Sequence, residues 1–117
     1  MTSEYIRKSG YENKIRTYTG AALDLIPKIP GSFDLVFIDA DKENYSAYYN
    51  LVFDRMKSGG VLIADNVLWS GKVLLDPSEM DKDTIAIHHF NQMIRDDERI
   101  ENVLLPVRDG LMIIRKK

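Results

Sequence analysis

Phe33-Asp34-Leu35-Val36-Phe37-Ile38-Asp39-Ala40-Asp41-Lys42 decides the fold. A near-continuous apolar run follows the Gly31-Ser32 turn and stops abruptly at acids. Such a run suits a strand buried on both faces of a parallel sheet, rather than one that alternates between core and water. The pattern recurs at Gly59-Gly60-Val61-Leu62-Ile63-Ala64-Asp65-Asn66, where Val61 to Ala64 is apolar and again ends in a carboxylate. Two strands of this kind, separated by a helical stretch, make a βαβ unit.

Outward from this pair, Asn44 to Met56 predicts a helix, with Tyr45, Tyr48, Tyr49, Leu51, Val52 and Phe53 forming a broad apolar face. Lys57-Ser58-Gly59-Gly60 reads as the turn into the second strand. Upstream, Glu4 to Ser9 predicts the last turns of a helix stopped at Gly10, Lys14 to Thr19 a strand, and Gly20 to Ile29 a helix ended by Pro27 to Gly31. Downstream, Val67 to Met80 reads as a loop and Asp81 to Arg95 as a helix with Ile85, Phe90 and Ile94 inward. Ile100 to Val107 and Leu111 to Arg115 read as strands joined through Arg108-Asp109-Gly110, a tight-turn sequence that fits an antiparallel hairpin. The plan is α/β in a single domain spanning residues 1–117, with right-handed crossovers.

Ligands of open α/β sheets sit beyond the carboxyl ends of the strands. That rule points to Gly20–Ala22, Asp39–Lys42 and Asp65–Trp69. Asp39, Asp41, Asp65, Asn66 and Lys42 converge there. Carboxylate and amide oxygens without His or Cys describe a site for a hard cation, Mg²⁺, Mn²⁺ or Ca²⁺. A lysine beside it suits a general base. Spacing alone is equally consistent with helix N-caps, for example Asp41 ahead of Asn44, and with solvated loops. A strand-end Asp39 also fits a receiver-like phosphoacceptor. That reading needs an acidic pair after an earlier strand, and Lys14 to Gly20 offers none.

Composition narrows the classes. The 117 residues carry 16 Lys+Arg against 18 Asp+Glu, net −2, which gives no basic face for nucleic acid. Zero cysteines exclude a disulfide scaffold, a thiolate zinc site and a cysteine nucleophile. Apolar stretches fall far short of the ~20 residues of a membrane span. A soluble, cytoplasmic protein is expected. His88 and His89 point about 100° apart on a helix and cannot chelate one ion as a pair.

The segments Phe33 to Tyr45, Gly59 to Trp69 and Leu105-Pro106-Val107-Arg108-Asp109-Gly110-Leu111 together resemble the cation-dependent, S-adenosylmethionine-using O-methyltransferases of the caffeoyl-CoA and catechol type. The resemblance runs along essentially the whole chain, in the right order. It implies a Rossmann-like methyltransferase sheet with helices on both faces and a C-terminal antiparallel hairpin, lacking the first strands. It implies metal ligation by Asp39, Asp65 and Asn66, and deprotonation of the acceptor hydroxyl by Lys42. Asp41 would lie beside the methionine moiety of the cofactor, the backbone N–H at Ala22 would meet the adenine, and Tyr45 would sit close enough to touch the cofactor. Trp69 would line the pocket of a small aromatic hydroxyl acceptor. Metal would lower the pKa of a chelated catechol and fix it, and methyl transfer needs alignment more than covalent catalysis.

The family's Gly-rich cofactor loop and acidic ribose-binding residue have no counterpart here, and no Gly-x-Gly occurs. By resemblance, two central strands between Lys14–Thr19 and Phe33–Ile38 are missing. The strand Phe33 to Ile38 should then present an open edge, which invites another strand. A homodimer is expected, with inward movement of Lys14–Thr19 or aggregation as the other responses. The alternative to an enzyme is a non-catalytic remnant that acts only by association.

Overall fold

The computed structural model describes all residues, Met1–Lys117. Four strands form one sheet in the order β1-β2-β4-β3: β1 Phe33–Ile38, β2 Met56–Asp65, β3 Ile100–Leu105 and β4 Leu111–Lys116. β1 and β2 are parallel and connected through helix α3, Tyr45–Phe53, whereas β4 runs antiparallel to both β2 and β3. The remaining helices are α1 Thr2–Ser9, α2 Ala22–Leu25 and α4 Lys82–Asp96, joined by short 3₁₀ turns.

One face of the sheet is closed by α3 and α4. Leu62, Ala64, Met112 and Ile114 are buried there against Tyr45, Tyr49, Val52, Ile87, Phe90 and Ile94. Phe90 stands edge-on to Tyr45 at 5.5 Å between ring centroids and to Tyr49 at 6.3 Å, a favoured aromatic geometry. α4 begins at Asp81, whose carboxylate accepts from Thr84 N at 2.9 Å and satisfies one of the free amides of the first turn. Its inward residue is Ile87, not the expected Ile85, which is exposed. Three residues before Phe90 lies on the same helix face; five residues before does not.

The other face is open at β1. The register pairs Leu35 with Val61 and Phe37 with Ile63, and Leu35 and Phe37 are 63% and 58% exposed. β1 is therefore buried on one side only. It is also the terminal strand of the sheet, as expected, with no partner along its outer edge.

Two expectations fail locally. Residues 14–19 form no strand and are exposed throughout, because a strand exists only by pairing and no strand of the sheet pairs with them. Lys57–Gly60 is not a turn ahead of β2 but part of it. The register jumps from Met56 opposite Phe33 to Val61 opposite Leu35, and Gly59 (φ 81°) lets the excess residues bulge. Gly60 lies so close to the chain that a Cβ would fall 2.8 Å from the Lys57 carbonyl oxygen.

Candidate active site

The sheet order explains the site. Ile38 pairs with Ala64, so the chain leaves β1 into Asp39 beside the point where β2 ends at Asp65. β4 is antiparallel to β2 and pairs Leu111 with Asp65, so the β3–β4 turn arrives at the same edge. Three segments distant in sequence thus meet: Asp39–Lys42, Asp65–Ser70 and Val107–Gly110.

Lys42 is the hub. Its side chain is 9% exposed, and Nζ donates to Tyr45 Oη at 2.8 Å, to Asn66 Oδ1 at 3.1 Å and to Asp39 Oδ1 at 3.5 Å. Nζ also lies 4.7 Å from the Tyr45 ring centroid and 5.5 Å from that of Trp69. Asp39 remains more than half exposed. Asp65 Oδ1 accepts from Asn66 N at 2.7 Å. The Trp69 indole Nε1 is buried without a hydrogen-bond partner.

The expected cation ligands Asp39 and Asn66 thus meet through one ammonium, and Asp65 adjoins Asn66. Two carboxylates and one amide oxygen form an all-oxygen donor set, which fits a hard cation chemically. No three acidic or histidine side chains converge closely enough to hold a metal by themselves. His88 and His89 lie on α4, outside this cluster.

On the other side of Asp39, a cavity of about 470 Å³ is lined by Gly20–Asp24 together with Ala40, Asp41, Asn44 and Tyr48. It brings the expected cofactor residues Ala22 and Asp41 onto one wall system. Arg55 holds the Ala22 segment in place by donating to the carbonyls of Ile26, Ile29 and Gly31. The Asp41 carboxylate accepts from Tyr48 Oη and from Asn44 Nδ2. The tyrosine bond, chiefly, holds the Asp41 carboxyl below its ordinary range. Burial, with the Asp41 bond second, pushes the Tyr48 hydroxyl up to about 12.

Tyr45, expected near the cofactor, is not among the residues that line this cavity. It has no exposed surface, and its hydroxyl is engaged by Lys42 and by the Asp65 carbonyl, to which it donates at 2.7 Å. Burial raises its pKa. Tyr45 and Tyr48 lie one turn apart on α3; the Tyr45 hydroxyl reaches Lys42 and the end of β2, and the Tyr48 hydroxyl reaches Asp41. Sequence reasoning gave no role to Asp109, whose carboxylate accepts from Asn66 Nδ2 at 3.1 Å and from Ser70 N at 2.6 Å. The signal lay in the hairpin: a β4 that pairs with β2 must carry its leading turn to the Asp65 end.

The family model for O-methyltransferases matches residues 1–117. The chain belongs to that family. Tricin synthase 2 of Oryza sativa subsp. japonica is 38% identical over 122 residues, covering 95% of this chain and 42% of its own length. Caffeoyl-CoA O-methyltransferase of Medicago sativa is 35% identical, covering 95% of this chain and 49% of its own. The chain spans about half the length of the curated relatives it matches. Among solved structures, an SAH-bound methyltransferase of Podospora anserina superposes with a TM-score of 0.85 at 29% identity, covering 99% of this chain and 55% of that one. An O-methyltransferase of Bacillus cereus in complex with SAH gives 0.87 at 28% identity, covering 97% and 56%. The α/β fold read from the sequence is that of these methyltransferases. No helix is long and apolar enough to cross a membrane.

Proposed function

We propose that this chain serves methyl transfer from S-adenosylmethionine to a hydroxyl of a small, catechol-like aromatic acceptor, assisted by a divalent cation. The observation that carries the reading is the convergence of Lys42, Asp39 and Asn66 at one sheet edge, next to Asp65 and beside the cavity shared by Ala22 and Asp41. SAH-bound relatives and caffeoyl-CoA O-methyltransferases among the homologues support it.

Asp39, Asp65 and Asn66 would hold the cation, Mg²⁺, Mn²⁺ or Ca²⁺, which supplies Lewis-acid stabilisation of an ionised acceptor oxygen. S-adenosylmethionine supplies an electrophilic methyl group. Ala22 and Asp41, with Tyr48, would hold it in the cavity they line, where Asp41 would supply a negative charge for its cationic portion. Lys42, in its neutral amine form, would take the acceptor's hydroxyl proton at Nζ. Trp69 covers the acceptor side and excludes water. Tyr45 serves Lys42 rather than the cofactor. The absence of cysteine is compatible with a cytoplasmic setting.

The chain by itself grips the cofactor incompletely, since it contains no Gly-x-Gly loop. Calorimetric titration with S-adenosylmethionine should show weak binding that Mg²⁺ does not make tight. Methyl transfer to a catechol by the purified chain would overturn the claim that its grip on the cofactor is incomplete. No heat with the cofactor in either condition would overturn the cofactor site.

A second reading, association without catalysis, is favoured by one observation: the exposed Leu35 and Phe37 beside the unpaired edge of β1. Two copies paired through this edge about a two-fold axis would cover it. Sedimentation at micromolar concentration should then give a dimer, and a 13.4 kDa species would refute it.

A further inference from the structure

The β3–β4 turn does more than connect two strands. Asp109 Oδ2 accepts from Asn66 Nδ2 at 3.1 Å and Oδ1 from Ser70 N at 2.6 Å. Its carbonyl accepts from Leu68 N at 2.9 Å, and the Gly110 carbonyl from Val67 N at 3.3 Å. One turn thus bonds to four of the five residues from Asn66 to Ser70. The contact is close: a Cβ on Gly110, itself at φ 85°, would sit 2.6 Å from Leu68 Cγ.

That segment needs holding. Asn66, Trp69 and Ser70 have φ of 64°, 49° and 55°, a left-handed backbone that non-glycine residues keep only where their surroundings impose it. The side-chain amide of Asn66 is likewise imposed. Its oxygen faces the Lys42 ammonium, which only donates, and its nitrogen faces the Asp109 carboxylate, which only accepts. Turned over, the amide would meet donor with donor and acceptor with acceptor.

We infer that Asp109 is a positioning residue, which locks Asn66 with Oδ1 turned into the site and fixes the turn that carries Trp69. The inference deepens the proposed cation-assisted reading, on which Oδ1 is the atom offered to the cation. The orientation itself rests on hydrogen bonds that exist without one. An outer partner of this kind commonly changes metal affinity by about 10–100-fold.

The test uses the full chain. Asp109→Asn differs by one heavy atom and sets an NH₂ group, which only donates, against one of the two donors. Three readouts apply: the side-chain amide protons of Asn66 by NMR, quenching of Trp69, which is the single tryptophan, and titration with Mn²⁺ alone. In the parent, one Asn66 amide proton should be shifted and protected from exchange. Asp109→Asn should lose that signature, make Trp69 easier to quench and weaken Mn²⁺ by about 10–100-fold. Glu101→Ala, which breaks the Glu101–Arg115 pair elsewhere on the same hairpin, should change none of the three. Should Asp109→Asn fail to fold, the parent still decides: two unshifted, freely exchanging Asn66 amide protons would overturn the inference. So would an Asp109→Asn variant that keeps the parent's amide and quenching signals. Loss of those signals in a chain that binds no Mn²⁺ would refute the cation reading and uphold Asp109.

Discussion

Tyr45 Oη accepts from Lys42 Nζ at 2.8 Å and donates its own hydrogen bond to the Asp65 carbonyl at 2.7 Å. This hydroxyl joins the end of β2 to the lysine that follows β1. A buried ammonium has few ways to be solvated, so the partner that holds it also aims it. Tyr45→Phe should leave the fold intact but lower stability by about 1–3 kcal/mol, because a buried carbonyl and a buried ammonium each lose a partner. Denaturant unfolding measures this; an unchanged midpoint would show that water replaces the hydroxyl.

Lys42→Ala addresses the chemical step. In an enzyme of full family length that carries this segment, kcat should fall by roughly 10²–10⁴-fold with a smaller change in KM, as expected for a group acting on the proton in the transition state. An unchanged kcat would leave Lys42 as a counter-charge for Asp39 and a hydrogen-bond donor to Asn66.

The core rests on α4 packing into the tyrosines of α3. Phe90 has no exposed surface and meets both Tyr45 and Tyr49. Phe90→Ala should cost about 3–5 kcal/mol, most of a small domain's stability. Ile85→Ala, on the exposed face of the same helix, should cost far less. Thermal unfolding of the two variants separates them.

Acid sensitivity should follow Asp97. Its carboxylate accepts from Arg99 Nε and Nη2 at 2.9 and 2.8 Å and from Tyr49 Oη at 2.6 Å, and the arginine, first, holds its pKa well below the ordinary 3.8. A carboxyl with a lowered folded pKa stabilises fully above its unfolded value and loses that contribution as pH falls through the folded one. Asp97→Asn should therefore be less stable than the parent at pH 7, and the gap should narrow below pH 3.8. A gap independent of pH would place the effect in packing rather than charge.

What the sequence made legible follows from how local each signal is. β1 and β2 announce themselves because an apolar run ending in acids needs no knowledge of distant residues. The start of the helix at Asp81 and the Arg108-Asp109-Gly110 turn are equally local. Residues 14–19 alternate as a strand should, yet alternation is only a preference, and pairing decides. Lys57–Gly60 reads as a turn because glycines mark both turns and bulges. Helix phase separates Ile87 from Ile85, and that choice hangs on which residue anchors the face. Asp109 lies within the family-like segment, yet its task is not local: only the β2–β4 pairing brings its turn to Asn66.

Titration of Mn²⁺ into the parent chain, Asp65→Ala and His88→Ala, followed by calorimetry, tests the central claim most directly. The account predicts one bound ion in the parent, none in Asp65→Ala and parent-like binding in His88→Ala, whose side chain stands apart on α4. Equal Mn²⁺ affinity in the parent and Asp65→Ala would contradict it.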